Sequence, residues 1–349
     1  MPRDKNIVVF GTHIKAFSGN IRSLFIMPAH PYRKIFISHS ADLTVTLQAQ
    51  GYEAYDHLSI KGIYYALRAG THIYSAFPSD THFWLSNGAK YINVWHGTPI
   101  KKIERDVTTG KYSLKNRYPF LFTLLKPYLK TRPHLLLSAS DYESNCFQSA
   151  FGITEEALFK TFPPRLVPLL EPKAHNSSLT HILYVPTWRD DHSFNFFQTI
   201  DATFDHFLQR HQFIFHIKLH PSDKSVTKEH TFSHIKIIDQ HEDVYEYLHQ
   251  ADIVVSDYSS MIFEALYLSK PVLLFCPDIQ TYTQHSREFY IDPCTQLPVL
   301  VSFTQNELET KLLTLKAQEK QRYQLASPFK PYQIEDKIVE KLVRRAHRA

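Results

Sequence analysis

Residues 251–275 narrow the possible folds more than any other stretch of the chain. Ile253, Val254 and Val255 form an apolar run too short for a helix, and Val272 to Phe275 form a second. Between them, Met261 to Leu268 places apolar residues at helical spacing until Lys270-Pro271 stops the helix. Two buried strands joined by one helix make a βαβ unit, which calls for a parallel sheet covered on both faces. The turn into the helix reads Ser256-Asp257-Tyr258-Ser259-Ser260. Free N–H groups and the helix dipole favour an anion there, and Ser259 and Ser260 add hydroxyl donors. Two readings stand at this point: a phosphate or pyrophosphate seat, or an ordinary helix cap.

At 349 residues the chain exceeds one ordinary core, so two domains are expected. Apolar residues at 43% and charged residues at 21% exclude a disordered chain. A net charge of +5 suits an anionic substrate or membrane face without demanding either. No recognised nucleic-acid motif accompanies it, so a nucleic-acid partner is not expected. Cys146, Cys276 and Cys294 are far apart and in no metal spacing, which fits a reducing cytosol. Residues 7–10 are strand-length, not a signal peptide, and no apolar run reaches the ~18 residues of a membrane span.

From the N-terminus, residues 6–10 read as a strand and 21–27 as a helix capped by Ser18-Gly19-Asn20. Residues 35–38 read as a strand and 41–50 as a helix, with short strand-like runs at 52–54, 72–75 and 91–94. This alternation points to a parallel sheet with helices on both faces. Trp95-His96-Gly97-Thr98-Pro99 then follows a strand, where open α/β sheets place their ligands. His96 there is either a loop histidine or a base able to take a hydroxyl proton at neutral pH. Lys101 and Lys102 beside it are solvated, or attract phosphate.

Residues 111–132 mix Lys126, Lys130 and Arg132 with Phe120, Leu124 and Leu125. The stretch reads as a helix pair with a solvated face, or as a surface lying on an anionic membrane. Residues 135–139 read as a strand and Ser140-Asp141 as the start of a helix. The Pro-rich residues 162–178 are the expected domain boundary. Strands resume at 182–185 and 213–219, ending on Pro186-Thr187-Trp188-Arg189 and on Lys218-Leu219-His220-Pro221. Arg189 is either a bidentate phosphate or carboxylate clamp, or a partner of Asp190 or Asp191. The basic helix 335–348 is expected to close back over the first domain.

The four motifs at 95–102, 186–189, 218–221 and 256–271, in this order, resemble the CDP-glycerol glycerophosphotransferase family, which builds teichoic acids and related phosphate-linked polymers. The likeness runs from about residue 6 to about residue 300. It implies the GT-B class of α/β fold, two Rossmann-like domains whose parallel sheets face across a cleft. The expected bounds are 1–165 for an acceptor-side domain, 166–178 for a linker, 179–325 for a CDP-donor domain and 326–349 for the returning helix. The resemblance implies transfer of an alditol phosphate, glycerol phosphate foremost, from a CDP-activated donor to an acceptor hydroxyl, with release of CMP. The family's two functional histidines fall on His96 and His220, and its donor-phosphate seat on Ser259 and Ser260. Asp257, Arg189 and Lys218 are expected beside the donor, and Gly97, Thr98, Lys101, Lys102 and Arg165 as acceptor or phosphate contacts. A lipid- or glycan-linked acceptor is implied, with the protein in the cytoplasm at the inner membrane face.

The sequence departs from the family where Phe162-Pro163-Pro164-Arg165-Leu166-Val167 keeps only the Pro-Arg pair of Gly-Tyr-Pro-Arg-Asn-Asp. Glu288 stands for a family Gly, and Pro298-Val299 for Pro-Gly. The long N-terminal extension of many members is not found, so the chain reads as a core transferase. No Asp-x-Asp pair follows a strand of the second domain, and a helix dipole with cations can replace a metal; neither metal nor cofactor is expected. A GT-B glycosyltransferase using a nucleotide sugar, or a non-catalytic scaffold, remain as alternatives, since a fold does not fix a function.

Overall fold

The computed structural model describes residues 2–12, 16–110, 113–171, 177–189, 194–219, 232–239, 242–285, 288–318 and 325–348. The chain forms two compact units. One comprises residues 1–96, 103–167 and 327–349; the other comprises 97–102 and 168–326.

The first unit is built on seven strands: β1 (Asp4–Gly11), β2 (Arg33–Ser38), β3 (Ala54–Asp56), β4 (Ala69–Tyr74), β5 (Lys90–Asn93), β6 (Leu135–Ser138) and β7 (Leu158–Lys160). They pair in the order β3-β2-β1-β4-β5-β6-β7, every pair parallel. The apolar runs explain this, since a parallel sheet buries both faces: Val8, Phe10, Ile73 and Ile92 point into one core, Val9, Ile35 and Ile37 into the other. The helix Ile338–Arg348 completes the first core with Ile338, Val339, Leu342, Val343 and Ala346.

The third strand lies two residues later than the expected 52–54. The Tyr52 ring packs edge-on against Phe25 at 5.7 Å, and pairing with β2 begins at Ala54. The helix Ile60–Arg68 escaped the sequence reading, because Ile60 and Tyr64 face solvent and Gly62 interrupts it. Gly62 is required by tertiary structure: a Cβ there would lie 2.1 Å from the Asp56 carbonyl oxygen. The Pro-rich residues at 164–169 form a 3₁₀ segment with Arg165 and Leu166 buried, and Phe162 N–H donates to the Gln333 carbonyl at 3.0 Å.

The second unit is built on β8 (Thr180–Val185), β9 (Phe213–Ile217), β10 (Ile235–Ile237), β11 (Ile253–Ser256), β12 (Val272–Phe275) and β13 (Leu300–Ser302). The order is β10-β9-β8-β11-β12-β13, again all parallel. Its core gathers Ile182, Phe204, Phe215, Val255, Leu273 and Leu312. In each sheet the chain builds outward in one direction and then restarts on the other side of its first strand. Ligands of open α/β sheets bind beyond the strand C-termini at that switch point, between β1 and β4 in one unit and between β8 and β11 in the other.

Candidate active site

In the second unit, the loops leaving β8 and β11 meet at the switch point. The Thr187 N–H donates to both oxygens of Asp257, at 2.8 and 3.0 Å. Asp257 is fully buried; its Oδ1 also accepts from the Tyr258 N–H, and Arg189 Nη1 lies 2.7 Å from Oδ2. Arg189 also forks onto Asp278, with Nε to Oδ2 at 2.9 Å and Nη2 to Oδ1 at 3.0 Å. The guanidinium lies 4.6 Å from the Tyr282 ring and 5.1 Å from that of Tyr258. Burial alone would lower its pKa, but the Asp257 and Asp278 carboxylates together outweigh burial and raise it.

Of the expected alternatives for Arg189, the structure shows a carboxylate clamp. Asp190 and Asp191 lie outside the described residues, and the guanidinium faces Asp257 and Asp278 instead. With both edges taken by carboxylates, it ties the two loops together and has no fork left for a phosphate. Asp257 is engaged in the same way and acts as the knot of the turn. Asp278 and Tyr282 escaped the sequence reading; the only available signal was that Asp278 closely follows a strand.

Ser259 and Ser260 are half-buried at the start of the helix Met261–Tyr267. The Ser259 hydroxyl accepts from Met261 N–H at 3.4 Å, while the Ser260 side chain makes no cap bond. Residues 97–102 are stitched onto this unit. The Ile100 carbonyl accepts from Tyr290 N–H at 2.8 Å, Lys102 N–H donates to the Glu288 carbonyl at 2.7 Å, and Lys101 bridges Phe289. Gly97 thereby lies against the hydroxyl turn: a Cβ there would stand 2.7 Å from Ser260 Oγ. Buried Thr98 shares a 3.4 Å hydrogen bond with the Tyr267 hydroxyl. Lys101 Nζ lies 5.2 Å from the Tyr282 ring, and Lys102 pairs at 3.4 Å with Glu288, the residue that replaces the family's Gly. Lys218 spends its ammonium on backbone, donating to the Asp239 carbonyl and to that of Glu242 at 2.7 Å. His220 lies outside the described residues.

In the first unit, His96 follows β5 and is exposed. Its Nδ1 lies 3.4 Å from the Ser75 carbonyl oxygen, and its ring packs at 4.4 Å, tilted by 31°, against Trp95. Trp95 holds a left-handed backbone, φ 46°, and its N–H donates to Asn93 Oδ1 at 2.8 Å. Buried Asn20 donates to the Val94 carbonyl at 2.8 Å and accepts from Arg165 N–H at 3.2 Å. Arg165, 145 residues away in sequence, is thus brought to the turn that carries His96. The loop behind Ser75 is held by buried Asp80, which accepts from the N–H of Ser75 at 3.2 Å and of Ala76 at 2.9 Å. Burial pushes the Asp80 carboxyl up to about 6. The sequence marked Asn20 only as part of a helix cap, and no residue pattern marked Asp80.

Comparison with known proteins follows the same lines. The family model described as CDP-Glycerol:Poly(glycerophosphate) glycerophosphotransferase matches residues 1–345. The teichoic acid poly(glycerol phosphate) polymerase of Bacillus subtilis (strain 168) is 25% identical over 95% of this chain, which spans 46% of that relative's length. The teichoic acid glycerol-phosphate transferase of Staphylococcus aureus (strain NCTC 8325 / PS 47) is 24% identical over 84% of this chain and 80% of its own. Among solved structures, the wall teichoic acid polymerase TagF superposes with a TM-score of 0.73 at 20% identity, covering 99% of this chain and 89% of that one. The likeness to TagF is one of fold, the GT-B class.

Proposed function

Because the chain belongs to the CDP-glycerol:poly(glycerophosphate) glycerophosphotransferase family, we propose that it transfers glycerol phosphate from CDP-glycerol to a hydroxyl of a teichoic-acid-like polymer. The observation that carries the reading is the family match over residues 1–345, with both serines of the family's donor seat at the switch point and Gly97 against Ser260. The acceptor oxygen attacks the phosphorus that bears glycerol, the bond to the CMP oxygen breaks, and the hydroxyl proton passes to His96. His96 suits that role in residue type and place: an imidazole can take a proton near neutral pH, and its Nδ1 contact with the Ser75 carbonyl orients the ring at the end of β5. His220, on the donor side, stabilises or protonates the leaving CMP. Ser259 and Ser260 hold the diphosphate, and Arg189 with Asp257 keeps their turn in place. Such a transfer depends on positioning and charge neutralisation more than on covalent chemistry by the protein.

The test is incubation with CDP-glycerol, CDP-ribitol and UDP-sugars, each with a polymer acceptor, followed by mass spectrometry of the products. Acceptor-dependent CMP release from CDP-glycerol is expected. UDP release from a sugar donor would replace this reading with a glycosyltransferase, and no release from any donor would leave a scaffold.

The same reading puts the protein at a lipid surface that presents its acceptor. Exposure of Phe120 (83%), Leu124 (70%) and Leu125 (67%) beside Lys126 supports it. No described helix is long and apolar enough to cross a membrane. Phe120→Ser with Leu124→Ser is expected to abolish sedimentation with anionic vesicles; unchanged sedimentation places the contact elsewhere.

A further inference from the structure

Beneath the exposed segment at 114–132, the first unit holds a pocket of about 490 Å³. That volume falls in the range of small-ligand sites. Its floor is apolar, from Phe122 and Phe151 among others. Its charged lining is unbalanced. Glu104 is taken by Lys115 at 2.7 Å, whereas Arg105, Lys130 and Arg132 have no ion-pair partner among the described residues. The two arginines are also gathered. Arg105 Nη1 lies 1.7 Å, and Arg132 Nη2 3.5 Å, from the point where a Gly152 side chain would begin. Gly152, at φ +60°, ends the helix Asp141–Phe151, whose negative dipole end offsets part of the repulsion between them. The two non-bridging oxygens of a phosphate group, sharing its negative charge, would offset more of it, since arginine forks match phosphate geometry.

The pocket is also tied to the candidate base. Phe151 in its wall meets the Trp95 ring edge-on at 5.2 Å, and Trp95 packs against His96 at 4.4 Å. One aromatic layer therefore separates a bound anion from the His96 turn. From this geometry we propose that Arg105, Lys130 and Arg132 bind a non-reacting phosphodiester of the acceptor chain, behind the hydroxyl that His96 deprotonates. The inference rests on the transfer reaction given under Proposed function. A polymer with one phosphate per repeat always offers such a group once it is longer than one unit. The pocket then makes the enzyme favour acceptors that already carry several phosphates.

The experiment compares soluble glycerol-phosphate oligomers of one and of several repeats, without lipid, for the wild type and for Arg105→Gln with Arg132→Gln. Loss of two charge-assisted contacts is expected to raise KM for the long acceptor at least about tenfold and to erase its advantage over the short one, with the KM for CDP-glycerol held. Anisotropy of a labelled long oligomer reads the same loss at equilibrium, so the pocket is tested even if the donor proves to be another. A long-to-short KM ratio and oligomer affinity equal to wild type in the folded double variant overturn the proposal. So does a variant that loses binding to anionic vesicles while keeping that ratio, which would give the pocket to a lipid headgroup. If the wild type turns over no CDP-alditol yet binds the oligomer through these arginines, the transfer reading fails and the pocket stands.

Discussion

The Ser75 carbonyl, 3.4 Å from Nδ1, orients the ring of His96, the residue proposed to take the acceptor proton. A positioned general base is worth roughly 10²–10⁴ in rate. His96→Ala is accordingly expected to cut CMP release by at least about a hundredfold, and His220→Ala by a similar factor, with unchanged thermal unfolding. Near-normal turnover in either variant removes that histidine from the mechanism. At this scale the sequence was informative about residue type and misleading about partners. Strand-end motifs marked His96, Arg189, Asp257 and Ser259, because ligands of α/β sheets gather at strand ends. They did not reveal that Arg189 is consumed by Asp257 and Asp278, because Asp278 lies 89 residues away. Arg189→Met is expected to destabilise the protein by about 3–5 kcal/mol, since it leaves buried carboxylates without their cation. Chemical denaturation that shows a loss below about 1 kcal/mol would mean the ion pairs do not order the turn.

Among the elements, β4 and the loop behind it position His96, through the Ser75 carbonyl. His72 on β4 is fully buried, with Nε2 3.2 Å from the Ala66 carbonyl and Nδ1 2.9 Å from Thr81 Oγ1. Burial first, then the charge of Arg3, pushes its pKa down to about 3. The unfolded chain therefore binds a proton near pH 6.5 that the folded chain refuses until about pH 3. The His72 contribution is present above pH 6.5 and is lost as pH falls through that window, at about 1.4 kcal/mol per pH unit. Urea unfolding between pH 7 and 5 is expected to show this slope, and His72→Gln to flatten it; an equal slope in the variant assigns it to other groups. The strands were legible because each is a short apolar run. The helix Ile60–Arg68 was not, because its reason for Gly62 is the approach of the Asp56 carbonyl from another element.

For the molecule as a whole, the decisive contact is made by the last element. Leu342 is fully buried in the first unit's core, on a helix that begins more than 160 residues after β7. Leu342→Ala is expected to cost about 2–5 kcal/mol, read as a lower urea midpoint with activity retained in the folded fraction. A change below about 0.5 kcal/mol would mean that the helix docks loosely. By itself, the sequence determined two parallel α/β units, the strand-end position of the candidate residues, and the family. It could do so because those properties are written in local periodicity and in motifs a few residues long. Only the tertiary structure decided which charges remain for a ligand. Arg189 and Asp257 proved to be spent on each other, while Arg105, unmarked in the chain, and Arg132, read there only as part of a basic surface, converge above Gly152. Whether a charge is neutralised depends on what lies within a few ångströms of it in space, and chain order does not encode that directly.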